Sequence, residues 1–218
     1  MSHVSVSPSG VITLGAVSFL REICPGLWRW TAPHPEWRAG APVESPGDWP
    51  REVGCVLSHL SAGTVLIDPL VPPKRAFLRE LDRRVREGKG PVSVVTTIGF
   101  HRRDREELAE RYGASTSRAK EALPGGVEPL PIHGAGETMF WLPDSGTLVP
   151  GDRIIGAPGG GLRLCPESWL GYLSSGMTLP SLRERLRPLL ELPIERVLVS
   201  HGEPVLRAGR AALAEALA

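Results

Sequence analysis

The chain predicts an α/β fold in which two β-sheets pack face to face with helices outside, an αββα sandwich formed by a single domain over residues 1–218. Three observations carry this expectation. Apolar runs of strand length come first as neighbours, then alternate with helical stretches, and then repeat that order, which is the rhythm of two layered sheets. Two runs, Val65-Leu66-Ile67 and Val92 to Thr97, have little polar alternation, as in strands buried on both faces. Two further runs end alike: Leu148-Val149-Pro150 enters Gly151-Asp152, and Val197-Leu198-Val199 enters Ser200-His201-Gly202. Each places a metal-capable side chain where a strand ends at a glycine turn, and strand ends are where sheets present site residues.

The elements follow in order. Val11 to Leu20 is an apolar stretch near the start. Residues 23–50 carry Trp28, Trp30, Trp37 and Trp49 among six prolines, a density that forbids helix and favours extended chain. These tryptophans read either as core and loop anchors or as an aromatic wall over a pocket. Val53 to Leu60 and Thr64 to Leu70 are expected as two strands, the second stopping at Asp68. Residues 72–88 predict a helix with Pro72 and Pro73 in its first turn and Phe77, Leu78, Leu81 and Val85 as its apolar stripe. After the strand at Val92 to Thr97, Asp104 is the expected N-cap of a second helix, with Glu107 completing a capping box. Glu128 to Pro131 and Thr138 to Leu142 read as paired strands, with another at Gly146 to Pro150. Gly159-Gly160-Gly161 reads as a flexible loop that lacks the context of a nucleotide fingerprint. Helices are expected at Leu182 to Leu190 and Leu206 to Ala218, around a strand at Arg196 to Ser200.

Composition excludes several classes. Apolar content of 41% and charged content of 22% mark a globular chain, not a disordered one. A formal net charge of +1 gives no broad electrostatic footprint for nucleic acid. The three cysteines, Cys24, Cys55 and Cys165, are odd in number and form no CxxC pair. That argues against a disulfide framework and a structural zinc knot. No basic leader precedes an apolar run and no window approaches a membrane span, so a cytoplasmic protein without membrane or nucleic-acid partners is expected, acting on a small-molecule substrate or ligand. Oligomeric state is not readable from the sequence.

The succession "LIDPL", "VVTT" with a histidine-bearing turn, "PIHGAGETMFWLP", "LVPGD" and "VLVSHG" resembles the metallo-β-lactamase fold superfamily over roughly residues 23 to 205. The resemblance lies in order and spacing. Members place HxHxDH after a strand, a histidine in a GHT-like turn, the aspartate of GD and a last histidine in a GHG-like turn around one or two metal ions. Those ions activate water against an ester, amide, thioester or phosphodiester. The resemblance implies that Asp152 matches the bridging aspartate, His201 the last histidine and His133 the GHT histidine. It implies that Asp68 is the buried residue orienting the motif loop. The first motif departs from the pattern. Thr97 and Gly99 stand where two histidines belong, His101 where the aspartate belongs and Arg102 where the third histidine belongs.

Two readings therefore stand side by side. In the first, the chain is a divergent hydrolase with at most one zinc, iron or nickel ion held by His101, His133, Asp152 and His201. Asp152, His201 and His101 are then the catalytic set, and Arg102 and Trp169 face the substrate. In the second, the chain is a catalytically silent, metal-free member that binds a small molecule or a protein.

Overall fold

In the computed structural model, residues 4–6, 12–14 and 18–218 are described. Of the expected apolar stretch Val11 to Leu20, Val11 and residues 15–17 lie outside the described residues. Strands β1 (Val4–Val6) and β2 (Ile12–Leu14) pair antiparallel by themselves.

The first large sheet has the order β3-β4-β5-β6-β7, from Arg21–Cys24, Leu27–Pro33, Glu52–Leu60, Gly63–Ile67 and Val92–Val95. Its first four strands run antiparallel, and β7 joins β6 in parallel through the crossover helix α1 (Arg75–Glu87). The second sheet has the order β13-β10-β9-β8, with β8 at Glu128–Ile132, β9 at Glu137–Leu142, β10 at Thr147–Val149 and β13 at Arg196–Val197. Here β10 and β13 are the parallel pair. A small hairpin, β11 (Ile154–Gly156) with β12 (Leu162–Leu164), turns through Gly159 to Gly161. The glycine run is therefore a hairpin turn, with all three residues at positive φ.

Side-chain alternation builds the layers. Successive residues of a strand point to opposite faces. On β6, Val65 and Ile67 face the second sheet and pack with Phe140, Leu142, Val149 and Leu198. Leu66 faces the other way, into a layer with Trp30 and Leu57 beneath Phe77, Leu81 and Val85 of α1 and Leu108 of α2 (Arg105–Tyr112). On the far side, Met139, Trp141 and Leu148 pack against Leu182 and Leu186 of α3 (Leu179–Leu186) and Leu213 of α4 (Gly209–Ala216). The result is helix, sheet, sheet, helix, as expected from the sequence.

Three local expectations need correction. Pro72 and Pro73 precede α1 instead of forming its first turn, since the helix begins after Lys74. Asp104 makes no side-chain cap; its carboxylate accepts the Val71 N–H at 2.6 Å, a tertiary donor that outcompetes the local ones. The helix from Leu182 divides at Pro188, which has no N–H to continue the ladder, and tightens into a turn over Arg187–Glu191.

Phe140 is fully buried where the two sheets meet. Phe140→Ala is expected to cost about 3–5 kcal/mol by leaving a cavity between the layers, read as a lowered urea midpoint at unchanged slope.

Candidate metal centre

Both parallel strand pairs end at the same edge of the sandwich. Asp68 follows β6, Thr97 and His101 follow β7, Asp152 follows β10, and His201 follows the extension of β13. Short links lock the two sheets together there. Thr138 N–H donates to Thr97 O at 2.8 Å, Gly54 N–H donates to Ser200 O at 2.7 Å, and Val53 bridges to His201.

His101 is aimed by a buried carboxylate. Asp68 is 2% exposed and holds φ +51°, a left-handed conformation that costs an aspartate little. Its Oδ1 accepts the Thr97 N–H at 2.7 Å, and its Oδ2 accepts the Thr97 hydroxyl at 2.5 Å. The same Oδ2 lies 2.8 Å from His101 Nδ1. The turn Gly99–Arg102 brings the imidazole round to that acceptor, and its Nε2 then points to Asp152.

Asp152 is positioned by a second buried carboxylate. Glu137 Oε1 accepts the Gly151 N–H at 2.9 Å, and Oε2 accepts those of Asp152 and Arg153 at 2.8 and 3.0 Å. The bend requires glycine at 151, because a Cβ there would stand 2.4 Å from the Thr97 hydroxyl. Arg153, with no exposed surface, runs beneath this turn and donates to Ala135 O, Trp169 O and the Tyr172 hydroxyl.

The three donor atoms converge. His101 Nε2 lies 3.0 Å and His201 Nε2 3.2 Å from Asp152 Oδ1, and all three lie within 4.8 Å of one another. Ligand atoms of a tetrahedral zinc site, about 2.0–2.1 Å from the ion, stand roughly 3.3 Å apart. Asp152 Oδ1 is buried without a hydrogen-bond partner despite these two contacts. A buried acceptor left bare between two imidazole nitrogens is what a shared ion would satisfy. Asp68 supplies the carboxylate that characteristically orients a ligating histidine from behind. The donors present therefore fit one ion.

Electrostatics sharpen the site. Burial and the Arg103 guanidinium both oppose a charge on His101, but Asp68 and Asp152 outweigh them and hold its pKa up at about 9. Burial also works against the charge on Asp152, yet the two imidazoles hold its carboxyl well below the ordinary range. His201 goes the other way, because burial exceeds the pull of Asp152 and lowers its pKa.

The site opens into a cleft of about 580 Å³. Trp49 and Trp169 stand edge-on to His201, with ring centroids 5.7 and 5.4 Å away. Phe100 and Tyr172 pair across the mouth at 5.1 Å. The loop carrying Trp49 is tied to the Trp169 turn by the Trp169 indole N–H donating to Ser45 O and by Ser168 donating to Glu44 O.

The structure brings together His101, Asp152 and His201, with Asp68 behind and Trp169 on the wall. It does not bring His133 to them. That residue is exposed in the β8–β9 turn, whose neighbouring carbonyls are held by Ser175 at Gly134 and by Arg153 at Ala135. Arg102 is likewise exposed and outside the cleft; Arg103 turns inward instead, at φ +41°, and binds Gly54 O, Asp68 O and Ser200 Oγ. The tryptophans divide between the two readings made of them. Trp28 and Trp30 are core, Trp37 is an anchor donating to Trp49 O, and Trp49 is wall. Glu137 and Arg153 escaped sequence reasoning, whereas Arg103, which with Arg102 and Arg105 reads from the sequence as a solvated face or a local anion site, is spent on internal acceptors. The signal for the first two was a charge at the edge of otherwise apolar strands, in "ETMFWL" and "GDRIIG".

In chelator-treated protein, His101 gives stability that is complete below pH 6.5, its ordinary pKa, and lost as pH rises through about 9. The lowered pKa of His201 has the opposite sense, since protonation of the unfolded chain removes stability as pH falls below 6.5. Urea midpoints are therefore expected to fall on both sides of neutrality. The alkaline loss should be on the order of 3 kcal/mol, and His101→Gln should flatten that limb alone.

No protein-family model matches the chain, and no curated protein matches its sequence. Solved structures do. The DIM-1 metallo-β-lactamase exposed to ceftazidime superposes with a TM-score of 0.57 at 14% identity, covering 90% of this chain and 96% of that one. A metallo-β-lactamase from Erythrobacter litoralis with β-mercaptoethanol in its active site gives a TM-score of 0.54 at 16% identity, covering 91% and 93%. One from Pontibacter korlensis gives 0.51 at 16%, covering 91% and 97%. Identities this low speak for the fold alone. The chain therefore has the metallo-β-lactamase fold.

Proposed function

We propose that the chain is a metal-dependent hydrolase using one ion, held by His101 Nε2, Asp152 Oδ1 and His201 Nε2, on an ester, thioester or lactone. The observation that carries this reading is the convergence of those atoms around a buried acceptor with no hydrogen-bond partner. Two imidazoles and a carboxylate suit zinc, and equally iron or nickel. Bound there, such an ion supplies Lewis acidity and lowers the pKa of water toward neutrality.

The residues contribute the rest. Asp68 keeps the Nδ1 proton of His101 engaged, so that Nε2 is the free donor. Glu137 fixes Asp152 through three consecutive N–H groups. Trp49 and Trp169 cover His201 and exclude water from its flank. Thr97, where the fold family carries a ligating histidine, spends its hydroxyl on Asp68. With His133 exposed as well, the donors support one ion and not two.

A second reading has an observation of its own. His101 lies between two carboxylates that raise its pKa to about 9, so a proton satisfies the same site without metal. The protein is then a metal-free ligand-binding module.

Elemental analysis of protein purified without added metal or chelator separates the two. About one zinc, iron or nickel per chain is expected, absent from Asp152→Ala. Chelation should lower the melting temperature by about 5–10 °C, since a bound ion stabilises the folded state by mass action. No stoichiometric metal after reconstitution would leave the metal-free reading.

A further inference from the structure

The charges that line the cleft are sorted by what they already hold. Arg103 is the only lysine or arginine among the lining residues. Its terminal nitrogens are spent on Gly54 O at 3.2 Å, Asp68 O at 2.8 Å and Ser200 Oγ at 2.9 Å. The two acidic side chains in the lining, Glu36 and Asp152, are carboxylates with no arginine or lysine bound to them. Away from the proposed ion, the cleft thus offers no uncommitted lysine or arginine to a ligand anion.

Its walls are aromatic. Trp49 and Trp169 stand deep, beside His201, while Phe100 and Tyr172 stand at the mouth, 66% and 51% exposed. Among the described residues, Val43 is the only other large hydrophobic this exposed. Apolar surface concentrated at the mouth of a concave site marks where a ligand sits. Aromatic faces carry negative potential and accept flat apolar groups, but they repel anions.

Resting on the hydrolase reading, we infer that the cleft selects substrates whose distal group is a flat, uncharged aromatic ring packed against Phe100, Tyr172 and Trp169, and that it rejects a carboxylate at that end. The reacting end meets His101, Asp152 and His201. The distal end meets rings. A carboxylate placed there meets aromatic faces and gains no cationic partner, which is rejection by an unpaired charge.

The test uses binding and turnover together, on the protein as purified. Acetonaphthone is a ketone that cannot be hydrolysed, and acetylnaphthoate adds a carboxylate to its far ring. By calorimetry the neutral ketone is expected to bind at least about tenfold more tightly. Phe100→Ala, at an exposed position that the fold does not use, should weaken the neutral ligand about fivefold. Phe100→Lys should bring the carboxylate within about twofold of the neutral ligand by supplying the missing cation. Equal or tighter binding of the carboxylate to the wild type, or binding of neither, overturns the inference. Turnover is followed with naphthyl acetate and its ring carboxylate. Discrimination in binding without turnover of either ester supports the inferred selectivity and removes simple aryl esters from the hydrolase reading. Turnover of both at equal kcat/KM keeps the hydrolase reading and overturns this one.

Discussion

Everything at the open edge of the sandwich hangs on the carboxylate of Asp68. It ends the most deeply buried strand of the first sheet, β6, every residue of which is buried. A charge this deep is tolerated only when it is fully hydrogen-bonded and faced by positive groups. Thr97 satisfies it twice, His101 once, and Arg103 lies against it while gripping its own carbonyl. Satisfying one carboxylate thus fixes the turn after β7, the tilt of the His101 ring and the inward course of Arg103. The positive φ at Arg103 is part of the same arrangement, and from that bend the side chain reaches both Asp68 and Ser200.

The second sheet meets this edge with a carboxylate of its own. Glu137 gathers three successive N–H groups and so holds Asp152 against the two histidines. Burial raises the pKa of Glu137, and Arg153 lies close enough to counter it. Arg153 also reaches Trp169 O and the Tyr172 hydroxyl. One buried arginine therefore couples the turn that carries Asp152 to the aromatic side of the cleft. The two sheets supply separate halves of the site, and each half is braced by its own buried acid.

The nitrogen of His101 that faces Asp152 can hold a proton or an ion, and the two exclude each other. Between carboxylates the proton is favoured, which is why the imidazole stays charged to about pH 9 without metal. An ion must displace that proton, so affinity and acidity at this site are linked. His201 carries no such burden, because burial already favours its neutral form.

The sequence by itself determined the layers. The periodicity of the apolar runs sets which face of each strand is covered, and a strand's side chains have no third direction to take. It also determined that Asp68, His101, Asp152 and His201 follow strands, because a proline after the apolar run marks the first of those ends and glycine turns mark the other three. Only the tertiary structure decided which of the candidates meet. His133 has the spacing of a ligand, yet Arg153 and Ser175 hold the carbonyls beside it and the side chain turns to solvent. Arg102 and Arg103 are neighbours of the same type, and a one-residue change in backbone direction places one in water and the other beneath the site. Glu137 and Trp49 gained their roles from partners far along the chain, at Gly151 to Arg153 and at His201. Such pairings depend on how two sheets stack, and local pattern carries no record of that distance.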